Sequence, residues 1–373
     1  MCRDERFPLH HFRPLTMREP TRISVEDAIA QLEQFDDLLD TRSPSEFALD
    51  HIPRAISTFV LDDAQRATIG TLHTQVGAFE ANRLGAAWVA RNVGQHLEEQ
   101  FQDRPRSWSP LVYCWRGGQR SNAMATVLAR VGWSVKVLEG GYRAYRRQVL
   151  ADLNTRPAQQ RWIVVAGRTG SAKSLILESL SRLGSQVLDL EALACHRGSV
   201  LGELPDALQP SQKLFDSLVW NAIRRFDPSR PVFVESESKK VGRLHVPDTL
   251  IQAMRLSPCV QIEVPEGIRA SFLIDQYAHW TQDRVGLQRK LDHIAPLHSK
   301  QKIAHWQSLI ESEDWPAFVE SLLVEHYDPA YDRAMARNFQ MLASAWTVRA
   351  QALASADIEH MARQISTYVV GQA

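Results

Sequence analysis

Two short loops carry the residue types that do group-transfer chemistry. The first reads Tyr113-Cys114-Trp115-Arg116-Gly117-Gly118-Gln119-Arg120-Ser121. A thiol set over backbone N–H groups at a helix start is held as thiolate, and the same donors bind an anion beside it. Cys114 is therefore the candidate nucleophile, with Arg116 and Arg120 as catalytic cations at the rim. Trp115, Gly117, Gly118, Gln119 and Ser121 complete the anion loop. The second loop reads Gly167-Arg168-Thr169-Gly170-Ser171-Ala172-Lys173-Ser174 and has the spacing of a phosphate cradle. The backbone of Gly167, Thr169, Gly170, Ser171 and Ala172 would wrap a diphosphate. Lys173 would reach its terminal oxygens, and Ser174 would hold Mg²⁺. Ala172 replaces the last glycine of the pattern, and its methyl is expected to crowd the phosphate.

Further polar residues form a weaker second tier. Asp189 and Glu191 end one strand, His196 and Arg197 follow, and Glu235 closes the apolar run Pro231-Val232-Phe233-Val234. Strand ends of this kind face the ligand crevice of open α/β sheets, so Glu235 is a candidate second Mg²⁺ ligand with Ser174. Gln209-Pro210-Ser211-Gln212, Glu235-Ser236-Glu237-Ser238 and His326-Tyr327-Asp328-Pro329-Ala330-Tyr331 each read, taken singly, as loops with capping residues. Asp36-Asp37-Leu38-Leu39-Asp40 has a diphosphate-binding spacing, but alternation along a strand would splay its acids. Its match is read as chance. His51 is expected to bond backbone, Asp40 and Arg42 to pin the fold, and Cys195 to be an inert core thiol.

Both loops need the same scaffold: an apolar strand in front and a helix behind. Leu111–Cys114 and Trp162–Ala166 supply the strands. Helices over 122–131, stopped by Gly132, and from Lys173 through Leu183 follow. Ser24 caps a short helix to Leu32, a strand runs over 35–39, and 78–100 has helical spacing. Further strands fall at 135–138, 186–190, 232–235 and 260–264. From about Gly267 the pattern is helical to the end. This alternation predicts an α/β fold with parallel sheets. A polar, Arg-rich arm occupies 1–21, one domain spans 22–150, and the second covers 155–373 with a helical C-terminal extension. The polar stretch 154–160 marks the boundary.

Composition narrows the class. The chain has 373 residues, 43 Lys and Arg against 43 Asp and Glu, and four cysteines. Zero net charge leaves any nucleic-acid contact to local patches. The candidates are Arg143, Arg146 and Arg147, then Arg224 and Arg225, then Lys239, Lys240 and Arg243. Without a CxxC pair there is no zinc ribbon or disulfide framework, and free thiols fit a reducing, cytoplasmic setting. No signal peptide follows Met1, and no apolar stretch is long enough to span a membrane.

The first loop resembles the active-site loop of the rhodanese family. Asp40-Thr41-Arg42-Ser43-Pro44-Ser45-Glu46-Phe47 with His51-Ile52-Pro53-Arg54-Ala55 is similar to that family's first signature. Leu138-Glu139-Gly140-Gly141-Tyr142 is similar to the strand and turn after its catalytic helix. Arg54 stands where the family has glycine. Five residues separate Cys114 from Arg120 where the commoner loop has four, which widens the anion pocket and leaves sulfur, phosphate and heavier chalcogen open. Followed by a P-loop and by the ordered polar segments above, the whole from 22 to 335 resembles the tRNA 2-selenouridine synthase family.

That resemblance implies a rhodanese-like domain fused to a P-loop NTPase-like domain and an enzyme acting on the wobble uridine of thiolated tRNA. It implies attachment of geranyl from geranyl diphosphate to the C2 sulfur, then replacement of S-geranyl by selenium from selenophosphate. Cys114 would accept selenium as a selenopersulfide, and Lys173 would serve the diphosphate. Mg²⁺ is an optional helper, no membrane is involved, and a monomer is expected. Three other readings stay open on the residues alone. They are a P-loop ATPase or kinase regulated by a rhodanese domain, a phosphatase on the wide cysteine loop, and a non-catalytic tRNA-binding chalcogen carrier.

Overall fold

The computed structural model describes residues 18–371. The chain folds as two compact units, one up to Val149 and one from Leu150 onward. Among the described residues no helix is long and apolar enough to cross a membrane.

The first unit is built on a five-stranded parallel sheet. Its order is Thr21–Ile23, Lys136–Leu138, Leu111–Tyr113, Leu38–Asp40, Ile56–Ser57. The two strands at and beside the centre, Leu111–Tyr113 and Leu38–Asp40, are buried at every position, as strands covered on both faces must be. Leu39, Val112, Met124, Leu128, Trp108 and Val137 share one core. The helix Gln119–Val131 starts directly behind the cysteine loop and ends at Gly132, whose φ of 114° is the left-handed cap that glycine adopts freely. Ser24 caps Val25–Ala30 through the amide of Asp27; the helix ends at Ala30, short of the expected Leu32, where a 3₁₀ turn, Leu32–Gln34, begins.

The second unit carries a five-stranded parallel sheet ordered Trp346–Arg349, Cys259–Glu263, Arg161–Gly167, Pro231–Glu235, Gln186–Leu188. The strand feeding the phosphate loop is central, and Lys173–Arg182 leaves the loop behind it. Ile176, Leu177 and Leu180 of that helix pack against Ile358, Met361 and Ile365 of Ser355–Gly371. A separate helical cluster gathers Leu287, Leu291, Trp306, Ile310, Phe318 and Leu322.

Three expectations change. The arm lies mostly on residues 1–17, outside the described residues, and its last residue, Thr21, already belongs to an edge strand. The polar stretch 154–160 has regular structure. Gly141–Thr155 stays helical into it, and a 3₁₀ turn, Arg156–Gln159, is held by Trp162 Nε1 donating to the carbonyl of buried Pro157 at 2.7 Å. The helical C-terminal region is interrupted by Trp346–Arg349, which pairs in parallel with Cys259–Glu263. Four residues with one buried valine leave too little period to read against the surrounding helical pattern.

Candidate active sites

Cys114 sits where the strand Leu111–Tyr113 ends, 4% exposed. The Gly118 amide and the Ser121 hydroxyl each donate to its Sγ at 3.2 Å. Burial by itself would raise the thiol. Bonds from the Ser121 hydroxyl and from the amides of Ser121, Arg116 and Gly118 outweigh it and hold Cys114 below the ordinary thiol value. Cys259 shows the opposite case: burial without such donors pushes it up to about 11.

Leu138-Glu139-Gly140-Gly141-Tyr142 packs beneath this loop. The Tyr142 amide donates to the Cys114 carbonyl at 2.8 Å, and the Arg143 amide to that of Trp115 at 3.1 Å. Gly117 and Gly141 have φ of 67° and 56°, and a Cβ on Gly141 would lie 2.3 Å from the Cys114 carbonyl oxygen. Only glycine permits that approach. The Trp115 ring stacks on Tyr142 at 5.3 Å.

The two arginines part company. Arg116 is exposed at the loop, while the Arg120 guanidinium bonds Glu46 at 2.9 Å and is thereby taken up by the helix Pro44–Leu49. Gln119 is exposed and opens the helix behind the loop. Arg42 pairs with Asp40, donates to the Asp50 carbonyl and lies over the Tyr142 ring at 3.9 Å. His51 Nδ1 bonds the Phe47 carbonyl at 2.9 Å. Asp36, Asp37 and Asp40 serve Ser109, Trp108 and Arg42 respectively, so the three acids do not converge.

In the second unit the phosphate loop borders a cleft of about 700 Å³. Lys173 Nζ folds back onto the Gly167 carbonyl at 2.7 Å. Burial lowers its pKa, opposed by the carboxylates of Glu191, Glu237 and Glu235. A Cβ on Gly167 would meet Ser171 Oγ at 2.5 Å, and that buried hydroxyl has no hydrogen-bond partner. Ala172 adopts φ of 57°, so a left-handed residue is what the pattern's glycine provides. Ala172 packs in the core with Ile176 and Leu177 and also borders the cleft. Core packing offsets a left-handed cost of about 1–2 kcal/mol.

Of the expected Mg²⁺ pair, Ser174 borders the cleft and Glu235 lies behind it. Ser174 Oγ donates to Glu191 Oε2 at 2.8 Å, and both line the cleft. Glu235 is 1% exposed, accepts the Glu191 amide through Oε1 and does not line the cleft. Burial raises its pKa well above the carboxylate range. A hydroxyl and one carboxylate beside a phosphate cradle fit Mg²⁺, which takes the rest of its shell from phosphate and water. No cluster of three or more metal-ligating side chains occurs among the described residues.

The ordered polar segments largely converge on this cleft. Asp189, Glu191, His196, Arg197, Glu237 and Tyr331 all border it. Burial and the Glu191 carboxylate push Glu237 up to about 8. Gly198, with φ of 69°, leaves room for both: a Cβ there would lie 2.8 Å from each carboxylate. His196 is buried, accepts the Gly198 amide through Nδ1 at 3.1 Å, and burial lowers its pKa. Gln209 and Gln212 lie outside the cleft and brace the hairpin of Lys240–Val241 and Leu244–His245. Cys195 is not a core thiol: it is the half-buried left-handed cap of Leu190–Ala194, with φ of 49°.

The segment from His326 to Tyr331 is the largest departure from a bland loop. A five-residue π-turn, Leu323–Tyr327, joins the helices Trp315–Leu322 and Asp328–Asn338. Such turns re-aim the residues that follow. Tyr331 Oη accepts the Gly167 amide at 2.7 Å. Asp328 takes the 3% exposed Arg269 at 2.8 and 2.7 Å, and Arg269 also donates to the Thr169 carbonyl at 3.0 Å. Arg168 pairs with Asp332 at 2.6 Å. Arg269 carries no motif, being a lone basic residue in Glu266–Gln276 whose burial only the structure reveals.

Fold and sites together define a rhodanese-like thiolate-loop domain joined in one chain to a parallel-sheet domain with a phosphate loop. A family model described as the tRNA 2-selenouridine synthase AAA domain matches residues 160–306, and the rhodanese-like domain matches 24–148. The tRNA 2-selenouridine synthase of Sulfurovum sp. (strain NBC37-1) is 31% identical over 333 residues, covering 81% of this chain and 89% of the relative. That of Nitrosomonas europaea is 32% identical, with 70% and 68% covered, and that of Aeromonas salmonicida 34% identical, with 65% and 65%. The chain belongs to the tRNA 2-selenouridine synthase family.

Proposed function

We propose that this enzyme converts 2-thiouridine at the tRNA wobble position to 2-selenouridine in two steps, each served by one loop. The observation that carries this reading is the pair of unlike anion sites in one chain. One is headed by a stabilised thiolate, the other by a phosphate cradle with a lysine.

In the first step the C2 sulfur attacks C1 of geranyl diphosphate, the C–O bond breaks, and diphosphate leaves with release of the uridine N3 proton. The loop amides and Lys173 stabilise the departing charge. Ser174 and Glu191 are the residues that would hold Mg²⁺, which supplies further charge neutralisation when bound. In the second step the Cys114 loop binds selenophosphate, the Cys114 thiolate attacks its phosphorus, the P–Se bond breaks, and the released selenide attacks C2 while water hydrolyses the cysteinyl phosphate. Selenophosphate already carries selenium at the selenide level. Geranylthiol is expelled from C2 and phosphate remains, with water supplying its oxygen and protons.

Arg116 is the loop cation available to the anion, while Arg120 supports the loop through Glu46. For tRNA, Arg143, Arg147, Lys239 and Lys240 are exposed, whereas Arg146 lies 3.7 Å from Asp50 and Arg224 lies over Trp220. The exposed group is the stronger candidate for backbone contacts.

The test is incubation of purified protein and thiolated tRNA with geranyl diphosphate and selenophosphate, followed by nucleoside mass spectrometry. S-geranyl-2-thiouridine should appear with the first donor alone and 2-selenouridine with both. Selenation that proceeds without any S-geranyl intermediate contradicts the two-step order.

A further inference from the structure

A narrow apolar slot opens off the phosphate-loop cleft. It measures about 60 Å³ and lies between the helices Glu266–Gln276 and Trp315–Leu322 and the turns that follow them. Leu273, Trp280, Trp315, Phe318, Val319 and Leu322 form its walls. Trp315, Val319 and Leu322 stand at positions i, i+4 and i+7, one face of their helix. Among the described residues no charged side chain lines the slot. Five residues border both slot and cleft: Thr169 of the phosphate loop, Ser199, Leu273, Tyr277 and Tyr327.

The shared mouth separates two chemistries. On the cleft side stand Thr169 and Arg197, whose guanidinium lies 4.8 Å from the centre of the Tyr277 ring. Ser199, Tyr277 and Tyr327 stand together at this mouth, where the tyrosine rings offer their faces to an apolar guest. A cavity walled mostly by apolar side chains does not favour water. It favours a hydrocarbon tethered to whatever the phosphate loop holds.

We infer that the slot binds the distal isoprene unit of a prenyl diphosphate, with the first unit held between Tyr277 and Tyr327. The inference rests on the geranyl-transfer reading and adds the subsite that selects chain length. A volume of about 60 Å³ holds roughly four or five water-sized groups, about one isoprene unit. The allylic C1 then lies at the mouth, beside tyrosine faces that stabilise developing positive charge as the C–O bond lengthens.

The experiment is a titration of the full-length protein, read by tryptophan fluorescence, since Trp280 and Trp315 line the slot. The probes are inorganic diphosphate, dimethylallyl diphosphate, geranyl diphosphate and farnesyl diphosphate. Wild type should bind geranyl diphosphate at least tenfold tighter than dimethylallyl diphosphate and at least tenfold tighter than farnesyl diphosphate. Val319→Phe should bring geranyl diphosphate to within threefold of dimethylallyl diphosphate, with inorganic diphosphate affinity unchanged as the control for folding. Trp315→Ala should gain at least tenfold for farnesyl diphosphate. Equal affinity of wild type for the dimethylallyl and geranyl donors overturns the inference, as does an unaltered chain-length order in both variants. Selective geranyl binding without geranylation of tRNA leaves the slot standing and removes the transfer reading instead.

Discussion

The Tyr331 hydroxyl accepts the Gly167 amide at 2.7 Å, a bond that spans 164 residues of sequence. It ties the start of the phosphate loop to a helix far along the chain. The same hydroxyl lies 3.2 Å from Ser236 Oγ at the end of the neighbouring strand. Tyr331→Phe strands the Gly167 amide in a buried setting. It should lower stability by about 1–3 kcal/mol and raise KM for geranyl diphosphate. Urea unfolding and half-reaction kinetics measure the two effects, and a variant unchanged in both removes Tyr331 from loop support.

Arg269 and Asp328 form a buried pair whose cation also holds the Thr169 carbonyl. Asp328→Ala leaves that cation uncompensated and should cost about 3–5 kcal/mol. Asp328→Ala with Arg269→Met, which removes both charges, should recover much of the loss. A urea midpoint for Asp328→Ala equal to wild type would show that the pair is not what pins the loop.

Cys114 ionises below the usual thiol range because donors from Ser121, Arg116 and Gly118 overcome burial. Its folded value is below that of the unfolded chain. The stability it contributes is therefore complete above the unfolded thiol value and is lost as pH falls through the folded one. Ser121→Ala should move the thiolate titration up in pH, followed by ultraviolet absorbance with Cys114→Ala subtracted. The selenation pH profile should move with it, and an unmoved profile contradicts thiolate control of that step.

Arg54 holds φ of 74° in the turn after His51, and its guanidinium pairs with Glu33. Both side chains of that pair are nearly half exposed, so the pair adds little. Arg54→Gly should leave Tm unchanged or raise it. Arg54→Val, a branched residue forced left-handed, should lose about 1–2 kcal/mol. Calorimetry decides, and a stable Arg54→Val would contradict the strain.

The departures from family pattern at Arg54 and Ala172 are both left-handed residues, so the sequence marked where the backbone is unusual but not why it is tolerated. Cys114, its glycines and the strand-loop-helix around each loop were legible because their signals are local: apolar runs, glycines and caps within ten residues. Arg269, Tyr277 and the slot walls were not. They act through burial and a π-turn, which depend on packing between helices distant in sequence. The ion pair of Arg120 was not legible for the same reason, since its partner Glu46 lies 74 residues earlier. The segment from His326 to Tyr331 carried chemistry-bearing residues, yet only the helix Asp328–Asn338 brings two of them to the phosphate loop.

The central claim is that the two loops divide the two half-reactions. The direct measurement is a side-by-side nucleoside assay of wild type, Cys114→Ala and Lys173→Ala. One arm uses thiolated tRNA with geranyl diphosphate, the other pre-geranylated tRNA with selenophosphate. Cys114→Ala should geranylate normally and fail to selenate. Lys173→Ala loses a charge-assisted contact of about 1.5–3 kcal/mol, so geranylation should fall at least tenfold while selenation survives. Normal geranylation by Lys173→Ala together with loss of selenation, or normal selenation by Cys114→Ala, would contradict the assignment.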